Sequence, residues 1–244
     1  MAVATKQPEI RVVRPRCRTS LTDCDFQFLE TTLRAPLQTP ADLTPLLTDP
    51  EARDLILDDP DLYRAILEDP ACVELSSELY FYVLVRHVLL QGGVDDRELT
   101  DYVATILCDF STTRRLWPRC APYHFEYLAD IVQAAAHASG PRRFSLQAHA
   151  GNYALFLSGM FVDRILSRVQ RRAAPGVAYF EELGSANYSI ASDHQLAGHY
   201  DLADVFRNIS ARFRHIRVAL NDMSDRLTFL GQAATPTRFD LGPA

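Results

Sequence analysis

Between Phe144 and Arg172 the apolar positions Leu146, Ala150, Tyr153, Leu155, Phe156, Leu157, Met160, Phe161, Ile165, Leu166 and Val169 spread over nearly the whole circumference of a helix. That spread predicts a helix over 144–172 buried on most of its sides. Gly151, Ala154, Ser158 and Gly159 add small side chains, which let a second helix approach closely. A second apolar stretch, about 72–91, predicts another largely buried helix closed by Gly92-Gly93. Along it Glu78, Tyr82 and Arg86 recur one turn apart, so a Glu78–Arg86 connection is expected. The most regular pattern lies near the C-terminal end. Leu202, Phe206, Ile209, Phe213, Ile216, Leu220, Met223, Leu227 and Leu230 alternate steps of four and three, predicting a heptad-patterned helix over about 200–230. Phenylalanine at two of its seam positions suits packing inside a bundle better than a parallel dimer.

Shorter elements fill the intervals. Asp49-Pro50, Asp59-Pro60 and Asp69-Pro70 recur every ten residues, each Asp placed as an N-cap and each Pro at a first helical position, so a run of short helices is expected. Asp95 or Asp96 is placed to cap a helix carrying Leu99, Tyr102, Val103 and Ile106, and further helices are expected over 123–138 and 177–197. Nothing alternates with a period of two. The fold class is therefore all-α: a single multi-helix, bundle-like domain of about seven to nine helices at ordinary helix lengths. The organisation read from the sequence is a disordered basic arm over 1–20, a helical domain over 21–230 with a candidate subdivision near 111–122, and a flexible tail over 231–244.

Charge changes this picture more than composition does. The 244 residues carry a formal net charge of -6, which argues against general nucleic-acid binding. Residues 40–101 hold fifteen Asp and Glu against four Arg, and residues 102–244 hold fifteen Arg against twelve acids. An acidic region and a basic one then offer surfaces to a partner of opposite charge. Cys17, Cys24, Cys72, Cys108 and Cys120 are odd in number and contain no CxxC pair, so reduced thiols in a cytoplasmic protein are expected rather than a disulfide framework or zinc ribbon. No export signal and no apolar run long enough for a membrane span are visible.

Three constellations are candidates for chemistry. His149, Asn152, Glu181, Glu182, Asn187 and His194 place polar groups on apolar helix faces, a composition suited to a metal or small polar ligand between helices, with Arg86 and His87 as further candidates. Neither a Glu-x-x-His pair nor an HExxH helix is present, and mutual hydrogen bonding accounts for the same residues. Asp193, His194, His199 and Asp201 carry oxygen and nitrogen ligands near one joint, where N-capping by Asp201 is the simpler expectation. Arg207, Arg212, Arg214 and Arg217 mark a candidate interaction surface on the last helix. No nucleophile elbow, Walker A loop or dinucleotide fingerprint occurs. The leading expectation is an intracellular helical interaction or regulatory protein whose partner is another protein or a second copy of the chain. The alternative is a helical enzyme or a ligand- or metal-binding protein with a pocket around His149, Asn152, Glu182 and His194, its cofactor and metal unspecified and a small molecule its ligand.

Overall fold

In the computed structural model the described residues are 12–37, 44–68, 74–111, 127–172 and 174–233. Every regular element among them is helical. In chain order these are a 3-10 turn (Cys17–Thr19), α1 (Asp23–Leu37), α2 (Thr44–Thr48), α3 (Pro50–Leu57), α4 (Pro60–Glu68), α5 (Ser77–Gln91), α6 (Arg97–Ser111), α7 (Leu128–His137), α8 (Gly140–Met160), α9 (Val162–Arg172), α10 (Val177–Ser192), α11 (Gln195–His199) and α12 (Ala203–Ala233). None of these helices is long and apolar enough to cross a membrane. Residues 1–11 of the expected arm, the third Asp-Pro pair, the expected loop from residue 112 onward and the tail from 234 lie outside the described residues.

The described residues form two compact units, one within 15–108 and 222–233, the other within 12–14 and 109–221. Each has a nearly enclosed core of helix. In the first unit it is α5, whose Leu79, Tyr82, Leu84, Val85 and Leu89 are fully shielded, together with α6, buried at every position from Leu99 to Cys108. Ser76 starts α5 by accepting the Leu79 N–H on its hydroxyl at 3.1 Å, an ordinary N-cap. Leu62, Tyr63 and Ile66 bury one face of α4, which packs against both α1 and α5. The Asp-Pro pairs act as expected. Asp49 accepts the Ala52 N–H at 2.9 Å and Asp59 accepts that of Asp61 at 2.8 Å, with Pro50 and Pro60 opening α3 and α4.

In the second unit the enclosed helix is α8, packed on α7 and α10. Its small residues permit close approach. A Cβ on Gly151 would stand 2.9 Å from the Tyr188 ring of α10, and one on Gly159 would stand 2.9 Å from Leu220 of α12. On α10, Gly184 faces Phe213 and Ala154, whose Cβ would be 2.9 Å away from a new methyl. The helix expected over 144–172 bends at Phe161 (φ −135°, ψ 40°). Burial explains the division. From Phe144 to Met160 nearly every side chain is buried, whereas in α9 Ile165 is buried and Arg164, Leu166 and Arg168 are exposed. The heptad seam of α12 is buried from Phe206 through Met223, and the helix bends at Arg212 (φ −115°, ψ 17°).

Candidate functional site

The six polar candidates of the second unit go to different partners. Asn152 accepts the Tyr188 hydroxyl proton at 2.7 Å, so it ties α8 to α10 within the core. Asn187 donates to the Leu183 carbonyl one turn back at 2.8 Å. Glu181 pairs with Arg217 at 2.6 Å, while Glu182 is exposed. His194 accepts the Leu196 N–H on Nδ1 at 3.1 Å and lies 5.1 Å from the Phe144 ring; it caps α11. His149 stacks near Phe110, at 6.0 Å between centroids, and desolvation pushes its pKa down to about 4, so its imidazole is neutral near pH 7. Asn152 and Tyr188 are brought together in the core, while Glu181 is paired with Arg217 and His194 serves as a helix cap. Among the described residues, no three His, Cys, Asp or Glu side chains form a group able to hold a metal ion.

Asp201 does not cap α12. It takes a left-handed backbone (φ 56°), and the Leu202 N–H returns to the Ala197 carbonyl at 2.8 Å, which closes α11. Asp can adopt this conformation more readily than most non-glycine residues.

Arg86 and His87 belong to the first unit and lie on its α5. The expected Glu78–Arg86 connection does not form. Glu78 pairs with Arg16 at 3.5 Å, whereas the Arg86 guanidinium, only 2% exposed, donates to Asp58 from Nε at 2.7 Å and to Asp95 from Nη2 at 2.7 Å. Asp96 is the residue that caps α6, accepting the Leu99 N–H at 3.0 Å. His87 stacks on Tyr63 with ring centroids 3.6 Å apart. Burial and then the positive charge of Arg226 hold its pKa below the ordinary value.

Sequence reasoning missed the network around Arg86. Arg97 donates to Asp58 at 2.6 Å, and Arg18 donates to Asp54 at 3.0 Å and to Asp101 at 3.3 Å and also pairs with Glu98. Burial works against the Asp58 carboxylate, yet hydrogen bonds from Arg86 and Arg97, reinforced by their charges, hold its pKa below the usual range. The Tyr82 hydroxyl is buried and has no hydrogen-bond partner among the described residues. Burial raises its pKa, against the lowering charge of Arg18. The signal was local excess of acid over base; what it lacked was Arg18, whose place against Asp54 is set across 36 positions.

Asp101 explains why the arm is held at Arg16–Arg18. Its carboxylate, buried at the start of α6, accepts the backbone N–H groups of Arg16 at 3.0 Å and Cys17 at 2.7 Å on one oxygen, and that of Arg18 at 3.4 Å on the other. Three successive amides around one carboxylate form an anion-binding concavity.

Two charged surfaces remain. On α12, Arg207, Arg214 and Val218 share one exposed face at helical spacing; Arg207 pairs with Asp204, and Arg212 is exposed at the bend. Arg217 is not part of that face. It turns inward to Glu181 and bonds Asn221, whose amide holds the Ser158 carbonyl at 2.8 Å. On α2 and α3, Leu46 is 46% exposed and Leu55 70% exposed. Glu51 precedes Leu55 by one turn and Asp59 follows it by four positions, while Asp58 between them is taken up by Arg86 and Arg97. No protein-family model, curated protein or solved structure matches the chain.

Proposed function

We infer that this is an interaction protein whose docking surface is the acidic, leucine-bearing face of α2 and α3. The observation that carries the reading is Leu55, left 70% exposed between Glu51 and Asp59 on a helix whose C-terminal end is locked in an ionic network at Asp58. Covering one such leucine contributes about 1.5–3 kcal/mol, and single exposed leucines are common. Here two occur on successive short helices with acids around them. The fitting partner is a protein that presents a basic helix with an apolar residue among its cations: the acids steer the encounter and the leucines hold the complex. The cysteine usage supports a reducing, cytoplasmic setting for it.

Photo-crosslinking from position 55 in cells of the native host, with exposed Gln170 as a control position, tests this. One dominant adduct is expected at position 55, and the Leu46→Ser/Leu55→Ser double variant should weaken that complex by about tenfold or more with an unchanged melting temperature. A diffuse set of adducts equal to the control overturns the reading.

A further inference from the structure

We propose that Cys17 and Cys108 are an oxidisable dithiol, a modification site that a low-molecular-weight disulfide such as oxidised glutathione converts to an intramolecular disulfide fastening the N-terminal stretch to the end of α6. The two residues are 91 positions apart and both are buried, yet their Sγ atoms stand 3.8 Å from each other. Closing to the ~2.05 Å of an S–S bond requires side-chain rotation and a small backbone adjustment.

The approach of the thiols is enforced from both sides. The 3-10 turn holding Cys17 is clamped by Asp101 through the Arg16 and Cys17 amides, and Thr105, one turn after Asp101 on α6, places its hydroxyl 3.4 Å from the Cys17 sulfur. Cys108 sits almost one turn further and donates its S–H to the Ser77 carbonyl at 3.2 Å. Anchors on both partners therefore fix the sulfurs in register. A chance encounter of two core cysteines would not require a buried carboxylate to bind the backbone beside one of them.

The chemistry balances as two thiol–disulfide exchanges. One Cys loses its proton and its thiolate attacks a glutathione sulfur, releasing one glutathione thiolate; the second Cys thiolate then attacks the mixed disulfide and releases the other. Two electrons pass from the protein sulfurs to glutathione, and the two cysteine protons end on the departing thiols. The Cys17 thiol is held well above its ordinary pKa, first by its contact with Cys108, then by burial. The first exchange is accordingly slow at neutral pH and speeds up as pH rises. An oxidant also has to wait for the turn to open, so the pair responds to sustained rather than brief oxidation.

The test equilibrates the full chain in glutathione redox buffers, with and without dilute urea to hasten local opening, followed by acid quenching, denaturing alkylation, intact mass measurement and peptide mapping. The expected product is lighter by two hydrogens, joins Cys17 to Cys108, and leaves exposed Cys24 open to alkylation or glutathionylation. Because the closed loop is long, the oxidised chain should unfold at a higher urea concentration than the reduced one. Cys24→Ser should leave the product unchanged. Alkylation of both Cys17 and Cys108 after equilibration at a ratio that oxidises a reference dithiol overturns the proposal, as does a crosslink from either residue to Cys24, Cys72 or Cys120.

Discussion

His149 and Asp58 both have pKa values held below their ordinary ones, for different physical reasons. Desolvation lowers His149 from 6.5 to about 4, so between those values the unfolded chain binds the proton that the folded chain refuses. Stability contributed by the neutral imidazole is full above 6.5 and is lost as pH falls toward about 4. His149→Gln should flatten urea midpoints across that window and leave the loss below it, where Asp58, its pKa held down by Arg86 and Arg97, takes up its proton. An unaltered slope between pH 6.5 and 4 in the variant would assign the loss to other groups. Arg86 offers a second contrast. Removing it by Arg86→Ala takes two of the three hydrogen bonds from Asp58 and leaves Arg97 as its partner, which should cost about 1–3 kcal/mol, whereas Asp95→Ala removes a carboxylate that is 75% exposed and should cost under about 1 kcal/mol. Chemical denaturation of both variants measures the difference.

Among the elements, α8 and α10 depend on the absence of a methyl group. A Cβ at Gly184 would press on Phe213 and stand 2.9 Å from the Ala154 Cβ, and neither an aromatic ring nor an alanine can swing aside. Gly184→Ala should therefore destabilise by about 1–3 kcal/mol through overpacking. Gly198 in α11 meets nothing within 4 Å of its ideal Cβ, so Gly198→Ala should stabilise by about 0.4–1 kcal/mol. Thermal unfolding of the pair separates helix approach from helix propensity, since propensity alone favours alanine at both sites. Opposite signs at the two positions are the expected result.

Across the whole molecule, the acidic excess of residues 40–101 divides into two functions. Asp54, Asp58 and Asp101 are occupied by Arg18, Arg86 and Arg97, while Glu51 and Asp61 are exposed. Only the exposed acids can attract a partner at a distance. If α2 and α3 form the docking surface, the association rate of its complex should fall steeply between low and physiological salt, since the screening length shrinks to about 8 Å at 0.15 M. Dissociation, governed by Leu46 and Leu55, should change little. Stopped-flow or surface-binding kinetics on the crosslinked partner read both rates, and equal salt sensitivity of the two would place the contact elsewhere.

Periodicity by itself determined the all-helical fold, the burial of α5 and α8, the seam of α12 and the Asp-Pro helix starts, because these follow from spacing within one element and from backbone groups a few residues away. The small stripe on α8 likewise announced close packing. What spacing cannot carry is the identity of a partner distant in sequence. Glu78 and Arg86 have helical spacing suitable for a contact, yet each found a stronger partner, Arg16 and Asp58, from another element. Arg217 reads as a surface cation until α10 supplies Glu181. Asp201 carries the residue type of an N-cap, but the tight return from α11 to α12 needs a left-handed residue there. Cys17 and Cys108 gave no sequence signal at all. Only tertiary structure decided these, because charges, caps and thiols act over a few ångströms, and the chain brings together positions that are tens of residues apart.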